Sequence, residues 1–529
     1  MEKPRFSALS LAVAAGLMST FAWSSNGNVI VVDSLADGSL PDACTLRDAL
    51  KSSADGTSFG DCIAGQPGQD EISIQVTGML NLTEGALEVT SDVIITGAGM
   101  DDFTIDAGGQ SRIFEIFGDN FYGQANDVHL SDMTLTNVGP DLVGGGAIFL
   151  DSVDEAVIER LEIRDGLRGG IRAQYSGNLS VIGTTIENTA RIAISANIGD
   201  GELLVDNVTL TGNGAGLDCA CDLHLVNSTI TNNSGSGNGA GVETYLSNAY
   251  IADTVISGNS TGNVGGLYLN VYELDLRRVT ISGNSGALAG GMLVRTLTEA
   301  HIESVSIFGN QASGIGTRGV GGMKVNTRPL GSLQVGNSTI SGNTGPRAGG
   351  IDFDDNASGT TRFDHLTVTL NEADSSSSAV AGGLSFRVNQ ADLAIGNSII
   401  AGNSAEDGFG DDLVAWTRDS NQDPIMPGAP VPIDYSLIGD AGGFAADGSG
   451  NLLGQSAELG PLADNGGPNL THHPLATSPA LNAGDPDFVP PPEFDQRGMG
   501  FPRVLGGRID MGAVEVDFDT IFTDRFESP

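Results

Sequence analysis

Along most of the chain apolar and polar positions alternate with period two, in short runs closed by Gly, Asn or Ser, the signature of strands between tight turns. An apolar residue stands three before an Asn at Leu210/Asn213, Ile230/Asn233, Ile256/Asn259, Ile281/Asn284, Ile307/Asn310, Ile340/Asn343, Val368/Asn371 and Ile400/Asn403. A second phrase runs in step with it, a Gly-Gly pair before a short apolar run. It reads Gly265-Gly266-Leu267-Tyr268-Leu269, Gly290-Gly291-Met292-Leu293-Val294, Gly321-Gly322-Met323-Lys324-Val325, Gly349-Gly350-Ile351-Asp352-Phe353 and Gly382-Gly383-Leu384-Ser385-Phe386. Spacings of this size suit a coil of two or three short strands, which takes roughly 20–30 residues. Helical repeats of that length would carry 3.6-period apolar stripes, and the sequence has none. The pattern predicts an all-β chain, a right-handed parallel β-helix (a solenoid) of roughly a dozen coils over 72–440. The asparagines are expected at sharp turns and in a ladder, amide on amide one coil apart.

The ends read differently. Lys3 and Arg5 precede an apolar run over 9–18, and Ala22-Trp23-Ser24 offers a cleavage site. Residues 1–24 are therefore expected to be a signal peptide and the protein to be exported, secreted or held at the outer cell surface. No later stretch approaches the roughly 20 apolar residues of a membrane span. Within 25–71, Thr45 with Asp48 resembles a capping box, and Leu46, Ala49 and Leu50 then share one helical face. A short N-terminal capping helix over the open end of the solenoid is predicted. The period breaks over 405–432, a last strand is read at 435–438, and 441–516 is expected to form an irregular closing region. Residues 517–529 form a tail with the texture of a sorting tag.

Composition narrows the function. The length of 529 residues would ordinarily mean several domains, but a solenoid grows by coils. The 76 glycines serve turns, and a stack of thin coils tolerates an aromatic content of 5%. A net charge of -42 repels nucleic acid and anionic lipid, so neither is expected as a partner. A monomer is expected. Among four cysteines, Cys44 and Cys62 are read as a disulfide of an exported protein. Cys219 and Cys221 point to the same face of a strand and are either bridged or free thiols. Matches to Asn-x-Ser/Thr, such as Asn227-Ser228-Thr229, are read as by-products of the repeat.

Candidate chemistry lies on the outward face of the Gly-Gly strands. Strand alternation predicts one outward row of Tyr245, Tyr268, Leu293, Lys324, Asp352 and Ser385, and a second of Asn270, Arg295, Asn326, Asp354 and Arg387. Aromatic rings pack on sugar faces and cations meet uronate carboxylates. Tyr245, Tyr268, Asn270, Arg295, Asn326 and Arg387 are therefore the candidate ligand-binding residues, and a polysaccharide or cell-surface glycan is the expected partner. The leading reading is non-catalytic recognition or adhesion. A lyase acting on acidic polysaccharide is the alternative, with Lys324, Asp352 and Asp354 in the catalytic roles and calcium on Asp352, Asp354 and Asp355. Calcium is the one cofactor the sequence suggests. A structural surface protein, with the charges as a solvated ladder, is the third reading. No phosphate loop or nucleophilic triad is supported, since the Gly-x-Gly matches lie between strands with no following helix.

Two stretches carry a family resemblance. Ala43-Cys44-Thr45-Leu46-Arg47-Asp48-Ala49-Leu50 resembles the Cys-Ser-Leu-Arg-Glu-Ala-Ile signature of bacterial exported β-helix proteins, with Thr45, Asp48 and Leu50 as conservative departures. Over 459–515, Leu459-Gly460-Pro461-Leu462, Thr471-His472-His473-Pro474, Ser478-Pro479-Ala480-Leu481-Asn482, Asp495-Gln496-Arg497-Gly498 and Asp510-Met511-Gly512-Ala513 together resemble the choice-of-anchor Q region of surface or secreted bacterial β-helix proteins. That resemblance implies a pectin-lyase-like fold and a cell-surface setting. Ile509 stands where members of the family often have a cysteine. The Gly-His-Gly phrase of polygalacturonase-like proteins of this fold is absent.

Overall fold

The computed structural model describes residues 26–517 except 119–126, 141–144, 236, 315–317, 327–330, 354–358, 376–379, 388–391, 407–409, 419–423, 426–430 and 444–445. The expected signal peptide, most of the tail, Asp354 and Asp355 lie outside the described residues.

Successive coils pair in parallel, each strand bonded to the strand one coil before it and one coil after it. Leu267, for example, is the register partner of Val242 below and of Met292 above. Three sheets result. The first, carrying the Gly-Gly strands, begins at Leu87–Val89 and ends at Leu413–Arg418. The second begins at Val29–Val32, paired with Asp70–Ile74, so a first coil precedes the repeat recognised in the sequence. The third runs from Gly78–Asn81 to Leu452–Leu453. Inward residues of all three sheets form one continuous apolar core from Ile30 to Ile438. This is the predicted right-handed parallel β-helix.

Helix α1 (Leu46–Asp55) is the predicted cap. Thr45 accepts a hydrogen bond from the backbone N–H of Asp48 at 3.2 Å, and Gly56 closes the helix at φ 62°. Its buried face, Leu46, Ala49 and Leu50, joins the core. Cys44 is bonded to Cys62, as expected. Cys219 and Cys221 are also joined, which settles the open alternative in favour of a bridge.

The eight asparagines singled out by their spacing form one buried ladder. Asn284 shows the repeating unit: its backbone N–H and its Nδ2 both donate to Asn310 Oδ1, at 2.9 and 3.0 Å, and Nδ2 also donates to the Ile256 carbonyl at 2.9 Å. Asn284 Oδ1 in turn accepts from the Asn259 backbone N–H and Nδ2, so both amide protons and the carbonyl oxygen are satisfied, which is what makes an interior amide tolerable. The left-handed turn falls on the preceding residue, for instance Gly283 at φ 61°, rather than on the ladder asparagine.

Directly after each of the last seven ladder asparagines a two-residue strand forms. These strands, Ser234–Gly235 through Ser404–Ala405, make a separate seven-stranded parallel sheet. The chain must then turn sharply past it into the Gly-Gly strand. A Cβ on Gly290 would lie 2.6 Å from the backbone nitrogen of Gln311, and one on Gly291 would lie 2.5 Å from the Gly322 carbonyl. Close backbone approach on two sides explains the paired glycines.

Beyond the last coils the chain turns back and lies along the outward face of the third sheet. Thr280 Oγ1 donates to Asn469 Oδ1 at 2.8 Å, Ser341 Oγ meets His472 Nε2 at 2.8 Å, and Thr339 Oγ1 donates to Gln496 Oε1 at 2.6 Å. An ionic knot holds this segment. Asp495 accepts from Arg497 and from the Glu515 backbone N–H, while fully buried Arg503 donates to the carbonyls of Asp510 and Gly512. Residues of the Asp-Gln-Arg-Gly and Asp-Met-Gly-Ala phrases are thus spent on closure.

Candidate functional site

The first sheet's outward row runs Arg172, Ser195, Asp218, Glu243, Tyr268, Leu293, Lys324, Asp352, Ser385 and Val414 in successive coils. This row departs from the expected one in two respects. First, Glu243 and not Tyr245 is the register partner of Tyr268. Tyr245 belongs to the next outward row, with Asn270 and Arg295. The coil concerned has Ala240-Gly241 in place of Gly-Gly, and its strand carries a register shift just after Tyr245. Second, most of the row is not a solvated surface. Leu293, Asp352, Ser385 and Val414 are fully buried, and Lys324 is 8% exposed.

The cover comes from described residues of the loops that link the short strands to the Gly-Gly strands. Val264, Leu288 and Ala289 pack on Tyr268 and Leu293, and Val380 and Ala381 pack on Val414 and Trp416. Beneath this layer Lys324 Nζ and Arg347 Nε each donate to Asp352 Oδ2 at 2.9 Å. Ser385 Oγ donates to Asp352 Oδ1 at 3.0 Å and accepts from Trp416 Nε1 at 2.9 Å. Arg347 also lies over the Trp416 ring at 4.8 Å. Burial alone would push the Asp352 carboxyl up, but Lys324 and Arg347 outweigh it and hold the group well below the usual carboxylate range. Lys324 is spent on a buried ion pair with Asp352 beneath this layer, which keeps it from a substrate. Both Asp352 oxygens are committed to protein donors, so the residue fits poorly as a calcium ligand. No group of three or more metal-ligating side chains placed to hold an ion occurs among the described residues. Asn326 donates its backbone N–H to the Val294 carbonyl at 2.9 Å, and Arg387 lies over Trp416 at 5.8 Å.

The loop layer begins with Ser234–Gly235, and in the three coils before it the outward residues Arg172, Ser195 and Asp218 are part-exposed. At this shoulder the remaining predicted residues meet. The rings of Tyr245 and Tyr268 are 5.9 Å apart. Arg295 donates to the Tyr268 hydroxyl at 3.0 Å, and Asn238 Nδ2 donates to the Tyr245 hydroxyl at 2.6 Å. Glu243, which the sequence reading missed, receives the backbone N–H groups of Asn238 and Gly239 at 3.1 Å and Asn238 Nδ2 at 2.7 Å. Its neighbour Asp218, also missed, is half-buried on the open side. Burial, then the Glu243 charge, push the Asp218 carboxyl up to about 6, with Arg172 opposing. The signal for both acids was present, since Glu243 and Asp218 each hold the outward place two residues after Gly241 and Gly216.

The arrangement is a step in the surface. Its floor carries Arg172, Ser195 and Asp218, and its riser carries Tyr245 with the Asn238 turn. Half-exposed aromatic surface beside hydrogen-bonding groups of both kinds is the chemistry that engages a pyranose ring.

Comparison with known proteins bears on the fold. A family model described as the right handed beta helix region matches residues 116–269. Among solved structures, the chain is similar to the A-module of the mannuronan C-5 epimerase AlgE4 of Azotobacter vinelandii, at 15% identity and a TM-score of 0.37 over 72% of this chain and 96% of that one. It is similar to the AlgE6 A-module of the same organism at 15% identity and a TM-score of 0.31 over 79% and 97%. A structure of XylC with xylose is similar at 11% identity and a TM-score of 0.28, over 66% of this chain and 56% of that one. No curated protein matches the chain.

Proposed function

We propose that this is an exported, cell-surface or secreted recognition protein that binds polysaccharide at the shoulder of its first sheet, without catalysis there. The observation that carries the reading is the Tyr245–Tyr268 pair, its rings 5.9 Å apart and its hydroxyls held by Asn238 and Arg295, where the loop layer begins. Tyr268, buried at 7% exposure, backs the part-exposed Tyr245 ring, and a ring held in this way is pre-ordered, so binding costs little side-chain entropy. Export is supported by the signal-peptide pattern of 1–24, and surface placement by the resemblance of 43–50 and 459–515 to exported β-helix proteins. No helix among the described residues is long and apolar enough to cross a membrane.

The committed state of Lys324 and Asp352 supports recognition over the lyase alternative at that pair. The experiment is a glycan array probed with the mature chain and with Tyr245→Ala. Specific binding lost in the variant supports the proposal. Binding that ignores the substitution places the ligand elsewhere and overturns it.

A further inference from the structure

The returning C-terminal segment is hung on three successive corners between the second and third sheets. Asn397 Oδ1 accepts from the Asp485 backbone N–H at 2.8 Å, the His365 ring stands edge-on to Phe488 at 5.3 Å, and Asn337 Nδ2 donates to the Phe494 carbonyl at 3.1 Å. A cleft opens between these anchors and the coils beneath them. It has a volume of about 550 Å³, with Glu303, Gln334, Arg362 and Asp364 on the floor and Phe488 and Pro492 in the wall. That volume lies inside the roughly 300–1,000 Å³ range of ligand clefts.

Three features of the floor are not accounted for by folding. Glu303 and Asp364 are register partners of Gly336 on either side of it, so the middle place between two carboxylates is empty of side chain. A Cβ on Gly336 would meet nothing closer than 3.6 Å, so the notch is not required by packing. Asn337 and His365 both line the cleft at 2% and 4% exposure, yet Asn337 Oδ1 and His365 Nε2 have no partner among the described residues. An unsatisfied buried polar atom costs on the order of 1–3 kcal/mol, and two side by side in one cleft call for a ligand.

We propose that this cleft is a second saccharide site, for a neutral sugar unit. The apolar face of a pyranose lies against Phe488 and Pro492, the ring fills the Gly336 notch, and its hydroxyls donate to Asn337 Oδ1 and Glu303 and accept from Arg362. Glu303, which His301 Nε2 approaches at 3.7 Å, and Asp364 put two carboxylates on the floor against Arg362, a balance that favours a neutral unit over a uronate. Burial pushes Asp364 up to about 6, with Arg362 opposing, which adds a carboxylic acid donor below that pH. The site lies on a different sheet from Tyr245 and does not depend on the shoulder reading.

The test is calorimetric titration of the mature chain with neutral gluco-, manno-, galacto- and xylo-tetrasaccharides and with a tetra-uronate. Variants are Gly336→Leu, which fills the notch, Phe488→Ala, which removes the wall, and Tyr245→Ala. The expected result is a Kd of about 1 mM or tighter for at least one neutral tetrasaccharide. It weakens at least about tenfold in Gly336→Leu and Phe488→Ala and is unchanged in Tyr245→Ala. Thermal unfolding of each variant confirms that it is folded. No binding of any neutral tetrasaccharide, or binding indifferent to both cleft variants, overturns the proposal. Loss of neutral binding only in Tyr245→Ala assigns the sugar to the shoulder and overturns it as well.

Discussion

Asn403 gives both its backbone N–H and its Nδ2 to a single oxygen of Asp412, at 2.7 and 2.8 Å. The amide ladder that begins at Asn213 therefore ends on a carboxylate that takes the place of the next asparagine. The other Asp412 oxygen accepts the Asp440 backbone N–H at 2.7 Å, which ties the ladder's end to the last coils. An Asp412→Ala variant leaves three N–H groups without their acceptor. It is expected to cost about 3 kcal/mol or more, with unfolding that starts at the C-terminal coils. Hydrogen exchange resolved along the chain checks this, with protection lost first around Asn403.

Within the ladder, Asn310→Ala removes the acceptor of two Asn284 donors and the donor to the Ile281 carbonyl. Burial of the orphaned groups makes a loss of about 3–5 kcal/mol the expected outcome, read as a lower urea midpoint. A surface asparagine such as Asn197, which is exposed, is expected to change stability by less than about 0.5 kcal/mol when replaced by alanine.

Paired and unpaired glycines differ in the same assay. Gly290→Ala drives a Cβ to 2.6 Å from the Gln311 backbone nitrogen, whereas Gly336→Ala meets nothing within 3.5 Å. The first is expected to destabilise by about 1–3 kcal/mol and the second by less than about 0.5 kcal/mol.

The ladder and the solenoid were legible because both rest on offsets a linear chain displays: three residues from Ile281 to Asn284, two from Gly266 to Tyr268. The site was legible only in part. Tyr268, Asn270 and Arg295 fall where alternation puts them, but Tyr245 sits one row from its expected place, because a register set by Ala240-Gly241 is not announced by a Gly-Gly pair. Coverage of Lys324 and Asp352 was not legible at all. It depends on loops through Leu288, Arg347 and Val380 that differ in length and carry no period. The second cleft needs contacts such as Asn337 to Phe494, 157 residues apart, which no local pattern encodes.

Asp352 and Asp218 predict opposite pH dependences. The Asp352 carboxyl is depressed in the folded chain, so its contribution is present above the unfolded value of about 3.9 and is lost as pH falls through the folded value. Asp352→Ala leaves buried Lys324 and part-buried Arg347 without their shared acceptor and is expected to cost about 3–5 kcal/mol at pH 7. The deficit relative to wild type shrinks in acid, as urea midpoints at pH 7 and pH 3 will read.

Asp218 is raised to about 6, so the folded chain keeps a proton that the unfolded chain has released from about pH 4 upward. Stability from this group is full below about pH 4 and is lost as pH rises to about 6. Asp218→Asn removes that loss. The variant is expected to exceed wild type by on the order of 1–2 kcal/mol at pH 7, discounted for partial solvent screening, and to match it at pH 4.

The most direct test of the recognition reading is one titration series. The mature chain and Tyr245→Ala are measured by calorimetry against the strongest glycan from the array, while absorbance of unsaturated uronate product is followed on acidic polysaccharides with and without calcium. The account predicts binding weakened at least about tenfold in Tyr245→Ala, with no rise in absorbance from either protein. Undiminished binding by Tyr245→Ala, or a rise in absorbance abolished by Lys324→Ala, would contradict it.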